Sequence, residues 1–244
     1  MSSSATAKTT RPRRRSRVRR RSELRALTPL LRAAELADAG TGRHLDRVAT
    51  YAAKASRGLG LDESTASSIA SACRLHDIGK LAVPTEILRK PGPLSTAERR
   101  VMERHTAAGH AILANAGSPL LDLAAEIALT HHEWVDGRGY PGAMQGDEIP
   151  LAGRIAAVAD AFDALTSDRV YRPAFSKDAA ARILRRAAGS QFDPAVVDAF
   201  LAAIGIAETP DDAPERPSNR GSARRQRDTA PERSARRFFG AERR

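Results

Sequence analysis

A single cysteine, Cys73, stands in the whole chain. No intrachain disulfide can form, which agrees with a reducing compartment. No apolar run approaches the ~18 residues a bilayer-spanning helix needs. The chain start lacks the apolar stretch of a secretory signal, although its Arg-rich, acid-free composition is also that of organellar transit peptides. These absences favour a cytoplasmic bacterial protein. Aromatic residues are scarce at 4%, and hydrophobic residues reach 41% of 244. That permits a packed core, less apolar than in an average globular chain.

The formal net charge of +11 resembles a nucleic-acid signature until it is divided along the chain. Residues 1–22 carry nine basic side chains and no acid, and residues 207–244 carry ten arginines against seven acids. Between them, residues 23–206 hold 21 basic and 22 acidic side chains. The folded part is therefore nearly neutral, and the basicity belongs to two tails whose composition predicts disorder. The tails are expected to bind anionic surfaces weakly and with steep salt dependence, if they bind anything.

Residues 23–206 read as one all-α domain. Leu24, Leu27, Leu30 and Leu31 open an apolar stripe at helical spacing, and Leu45, Val48, Ala49 and Ala52 line one face of 43–58. Asp62 is a cap for a helix running toward His76. Ser95 with Glu98 forms a capping-box signature. Helices are predicted over roughly 122–132, 153–168, 178–188 and 194–203. Two stretches, Leu81–Leu94 and Asp136–Pro150, are rich in proline and glycine, and loops of this length usually serve a site.

Imidazoles and carboxylates gather in a few short strings. His76 and Asp77 are adjacent in HDIGK, His131 and His132 in HHEWVDGRGYP, and Asp160 interrupts an Ala/Val/Ile helix. Together such groups suit divalent transition metals. Each alone has a plainer explanation. His76 could complement a helix C-terminus with Gly79 as its cap, and Lys80 could be a helix-end cation. A carboxylate in an apolar helix, however, needs a partner. Cys73, three residues before His76, reads as a small buried hydrophobe, and His110 as an ordinary histidine.

These strings, with PTEILRKPGPLS, VADAFDALTSDRVYR and GSQFDP in the same order and approximate spacing, resemble the HD-GYP family of HD-domain phosphohydrolases over about residues 38–204. The resemblance implies an HD-domain-like helical bundle and a metal-ligand set of His44, His76, Asp77, His105, His131, His132 and Asp160. Spacing could not have selected His44 or His105. Seven N/O ligands exceed the needs of one ion and imply two divalent ions, iron or manganese in the first instance. The family role of Asp77 is to bridge them. Lys80 and Arg169 are implied phosphate contacts, Arg172 a weaker one, and Tyr140 either a ligand contact or a loop anchor; Trp134 could line the cleft or simply pack.

The implied reaction is hydrolysis of cyclic di-GMP to linear pGpG, with further cleavage to GMP left open. A receptor that binds the dinucleotide without turnover, and an HD phosphohydrolase acting on another nucleotide such as cyclic GMP-AMP, are the alternatives. Thr85 and Thr106 depart from the family pattern at positions that are not ligands. Gly40 stands where some members carry a glutamate that helps hold a third ion, and nearby Asp38 is only a partial substitute, so two ions are expected. No receiver or sensory domain precedes the strings, so regulatory input is expected from the tails, a signalling partner protein or expression level.

Overall fold

The helix Arg43–Gly58 (α1) forms because its apolar residues recur every three or four positions, and it buries Val48, Ala49, Ala52 and Ala55. The structure is a computed structural model that describes residues 28–29, 31–32, 43–168 and 173–207. The tails over 1–22 and 208–244, and the readings of Asp38, Gly40, Arg169 and Arg172, lie outside those residues. The described elements after α1 are α2 (Glu63–Cys73), a 3₁₀ turn (Ile78–Ala82), α3 (Thr85–Leu88), α4 (Thr96–Glu103) and α5 (His105–Leu113). Then come α6 (Pro119–Thr130), a second 3₁₀ turn (Gly146–Glu148), α7 (Leu151–Thr166), α8 (Lys177–Ala187) and α9 (Pro194–Ala203). No β-strand occurs among the described residues, only isolated bridges at Asp136–Gln145 and Ala188–Phe192.

The caps read from sequence form. Asp62 accepts from the Ser64 and Thr65 N–H groups and starts α2. Ser95 and Glu98 close a reciprocal capping box on α4, satisfying donors that a helix start leaves unpaired. Several boundaries shift by one to three residues, those of α6 with most consequence for the histidines. α6 begins earlier than its apolar pattern, because Pro119 sits at the first helical turn where its missing N–H is harmless. It also ends at Thr130, so His131 and His132 fall just past the helix. The Pro-rich stretch after HDIGK is less irregular than its composition implies: local bonds such as Val83 N–H to the Lys80 carbonyl, 3.0 Å, make a 3₁₀ turn, and α3 follows Pro84.

α7 is the central helix, with eleven of its sixteen residues buried. α1 packs on α2, α7 and α9, while α6 packs on α2, α5 and α7. Alanine at many contacts lets these helices approach closely, and an edge-to-face cluster of Tyr51, Phe162 and Phe200 fills the space between α1, α7 and α9. Phe162, Phe192, Phe200, Leu75 and Ile127 are fully buried, each stabilising the fold by about 1.5–3 kcal/mol through burial alone. The ends of α1, α2, α5, α6 and the middle of α7 meet on one side, and the conspicuous histidines sit there. Among the described residues no helix is long and apolar enough to cross a membrane.

Candidate metal centre

His76, His105 and His131 are each buried, and each is oriented by its own preceding turn. His76 Nδ1 lies 2.8 Å from the Cys73 carbonyl oxygen and His105 Nδ1 2.8 Å from that of Met102. His131 Nδ1 lies 3.1 and 3.0 Å from the carbonyl oxygens of Ile127 and Ala128. A carbonyl only accepts, so each Nδ1 carries a proton and donates it, and each Nε2 faces the neighbouring imidazoles. His105 Nε2 and His131 Nε2 approach to 3.4 Å.

Asp77 stands between them. Its Oδ2 is 3.2 Å from His76 Nε2, and its Oδ1 is 3.4 Å from His105 Nε2 and 3.8 Å from His131 Nε2. Lys80 Nζ lies 2.9 Å from Oδ2. On the other side of His76, Asp160 Oδ1 is 3.8 Å from His76 Nε2 and 3.6 Å from His44 Nε2. The donor atoms fall into two groups, Asp77/His105/His131/His132 and His44/His76/Asp160, each with its atoms within 4.8 Å of one another. All seven residues expected as ligands are thus brought to one place, including His44 and His105.

The electrostatics suit a cation. Burial pushes His131 down to about 3, helped by His76 and His105, and burial also lowers His132 and His105. These imidazoles are neutral at physiological pH, the form that ligates a metal. Burial opposes a charged His76, but Asp77 and Asp160 outweigh it and raise the imidazole to about 9. Burial would likewise raise Asp77, yet Lys80, His76 and His105 hold its carboxyl well below the usual carboxylate range. His76 Nε2 and Asp77 Oδ1 are buried without a hydrogen-bond partner. A buried carboxylate oxygen without a donor is unfavourable unless a cation satisfies it, and a cation there would also take the place of the proton on His76 Nε2. By this test the residues fit a pair of divalent ions.

Around this cluster the GYP loop is packed rather than draped. Tyr140 stacks on His132 with ring centroids 4.8 Å apart, and the Tyr140–Pro141 peptide is cis. Trp134 is half-buried beneath the Arg138 guanidinium, 5.4 Å from its ring. Gly139 has no room for a side chain, since a Cβ there would lie 2.2 Å from the Trp134 nitrogen. GSQFDP holds the loop from outside: Asp136 N–H donates to the Ser190 carbonyl at 3.0 Å, and Arg154 bridges Asp147 and Asp193 at 2.9 and 2.6 Å. Cys73 is fully buried, and burial pushes its thiol up to about 12, so it is inert. His110 lies apart from the cluster on α5.

Sequence reasoning passed over two buried acids. Asp163, 1% exposed, accepts from His44 Nδ1–H and from Arg47. Glu133 accepts the N–H groups of Gly142 and Met144 at 2.5 and 3.1 Å and so shapes the GYP loop. Signals existed for both. The reasoning that singled out Asp160, an acid in an apolar helix, applies with more force to Asp163, because Asp160 is one quarter exposed and Asp163 is not. Glu133 directly follows the HH pair.

A helical domain that gathers five histidines and two aspartates into two groups that could each hold a metal ion has the make-up of one class, the HD-type domain. Residues 21–196 match the family described as HD domain, and the chain belongs to that family; its HDIGK and HHEWVDGRGYP strings are those of the HD-GYP branch. The chain is 44% identical over 179 residues to the cyclic di-GMP phosphodiesterase response regulator RpfG of Xanthomonas campestris pv. campestris, covering 73% of this chain and 47% of that protein. It is 42% identical over 172 residues to the 3′3′-cGAMP-specific phosphodiesterase 2 of Vibrio cholerae, covering 70% of this chain and 33% of that one. The chain thus spans less than half the length of these relatives. A crystal structure of a cyclic GMP-AMP-specific phosphodiesterase of V. cholerae shares the fold, with a TM-score of 0.57 at 17% identity over 78% of this chain and 49% of the other.

Proposed function

We propose that the chain hydrolyses the phosphodiester bonds of a cyclic dinucleotide, cyclic di-GMP first, in the cytoplasm and through a catalytic unit spanning residues 23–206. His44, His76 and Asp160 would hold one divalent ion, and Asp77, His105, His131 and His132 the other, with Asp77 reaching both; iron or manganese suits this N/O set. The observation that carries the reading is the shared carboxylate: Asp77 turns one oxygen to His76 and the other to His105 and His131. When bound, such a pair supplies Lewis acidity and a water-derived nucleophile at neutral pH.

The chain's own groups do the rest. Backbone carbonyls fix the Nδ1 protons and so aim the Nε2 atoms. Lys80, on the Asp77 carboxylate, is placed to neutralise charge that grows on a phosphate during cleavage. Tyr140, stacked on His132, forms one wall against which a base or the sugar-phosphate backbone can lie. Arg169 and Arg172 are proposed as further phosphate contacts on the sequence resemblance alone. The V. cholerae relative at 42% identity favours cyclic GMP-AMP as the second substrate to try.

The test is turnover by protein purified anaerobically with iron or manganese, with products of each dinucleotide separated by chromatography. Cyclic di-GMP converted to pGpG or GMP supports the reading. Tight binding of dinucleotide by fully metal-loaded protein with no product would overturn it in favour of a receptor. Lys80→Ala is expected to lower kcat/KM for the dinucleotide by about 5–150-fold, corresponding to ~1–3 kcal/mol, with bound metal unchanged. Equal efficiency in that variant removes Lys80 from the phosphate site.

A further inference from the structure

His44 differs from the other oriented histidines. His76, His105 and His131 take their Nδ1 partner from a carbonyl three or four residues upstream. His44 is the second residue of α1. Its Nδ1 instead lies 2.7 Å from Oδ2 of Asp163, 119 residues away on α7. Asp163 follows Asp160 by three residues, so α7 turns a first carboxylate to His44 Nε2 and a second to its Nδ1.

Asp163 is itself held. Arg47 Nε donates to its Oδ1 at 2.5 Å and Arg47 Nη2 to its Oδ2 at 2.9 Å, a two-pronged contact. Arg47 is three residues beyond His44 on the same face of α1, and its Nη2 also donates to Ser167 Oγ at 2.9 Å. One buried carboxylate therefore receives both α1 groups and fastens α1 to α7 at the cluster. The histidine it serves is the more open one: His44 is 24% exposed, against 2% and 1% for His105 and His131. Packing holds the latter pair, whereas His44 depends on a hydrogen bond.

We propose that Asp163 is a positioning residue, oriented by Arg47, that fixes the His44 Nδ1 proton and aims Nε2, and that it thereby sets the metal affinity of the His44/His76/Asp160 position and not of the other. This rests on the two-ion reading above. A carboxylate behind a ligating imidazole makes it a better donor and restricts its rotation, and its loss generally weakens metal binding about 10–100-fold.

The experiment is a Mn²⁺ titration of the metal-free full chain, with bound ion counted at each step and dissociation constants fitted stepwise. Wild type is expected to take two ions. Asp163→Asn keeps the volume but has one oxygen where two are used, and its amide N–H groups face the Arg47 guanidinium. It should weaken one step by about 10–100-fold and leave the other within about twofold, with the melting temperature of the metal-free protein as a separate readout. Should Asp163→Asn fail to fold, Arg47→Gln, whose parent side chain is 39% exposed, should weaken the same step in the same direction. Two unchanged steps in the foldable variant, or equal weakening of both, overturn the role of Asp163. Wild type that never takes a second ion overturns the two-ion reading itself, and the inference with it, a result told apart because it appears before any substitution is made.

Discussion

Asp77→Ala is expected to abolish dinucleotide hydrolysis and to weaken metal binding at both positions, while the helical circular dichroism stays close to wild type. No other carboxylate of the cluster reaches both donor groups, since its two oxygens lie 3.2 Å from His76 Nε2 and 3.4 Å from His105 Nε2. Alanine removes that shared donor and leaves Lys80 and His76 facing each other without the anion between them. His44, His76 and Asp160 remain on one side and His105, His131 and His132 on the other, so each group keeps three donors but loses the carboxylate they share, and both ions are held less tightly. Loss of several kcal/mol of charge stabilisation at the phosphate corresponds to a rate fall of about 10³-fold or more. The fold has less to lose, because the Asp77 side chain makes no cap bond to the 3₁₀ turn it precedes and lies outside the apolar core. Product chromatography and atomic emission on the same sample decide it. A variant that keeps two ions and a tenth of the rate would remove the bridging carboxylate from the mechanism.

What could be read from the chain follows from the range over which each interaction acts. The capping box of Ser95 and Glu98 and the cap at Asp62 are local, and both form. The apolar periodicity of α1, α8 and α9 is local too. His76, Asp77, His131 and His132 stand out because two donors are adjacent in each string. His44 and His105 carry no such mark, and only resemblance to a family could pick them, since their partners lie on other helices. The partners of Asp163 were hidden for the same reason, lying 116 and 119 residues back, although an acid in an apolar helix was itself a visible signal. Gly79 shows the opposite difficulty, a local reading that was available and misdirected. As the glycine of HDIGK it looked like a helix cap, yet α2 ends at Cys73, with Arg74 as its capping residue, and Gly79 lies inside the following 3₁₀ turn with an ordinary backbone.

The demand on Gly79 comes from across the site, and Gly79→Ala tests it. A Cβ built there would lie 1.9 Å from the His105 carbonyl oxygen and 2.4 Å from the Gly109 nitrogen, where ordinary contact begins at 3.4 Å. Both obstacles are backbone of α5, so no side chain can rotate aside. The 3₁₀ turn that carries Lys80, and that follows directly on Asp77, is thus seated on the first turns of the helix that carries His105. The Asp77–His105 approach of 3.4 Å depends on that seating. Alanine must push the two segments apart. Overpacking typically destabilises by ~1–3 kcal/mol, and more where backbone must move, which lowers the melting temperature by roughly 2–12 °C in a domain of this size. A displacement near 1 Å at a catalytic group costs about 10²-fold in rate. Metal affinity should fall in the same variant, because Asp77 and His105 belong to one donor group. Gly109→Ala is the internal comparison: its Cβ would meet the Ala128 methyl at 3.1 Å and the Gly79 nitrogen at 3.3 Å, contacts that yield by a few tenths of an ångström, so it should be the milder change in melting, metal binding and turnover alike. Were Gly79 only a helix cap, alanine there would be tolerated within about 1 kcal/mol, and the two variants would come out in the reverse order or together.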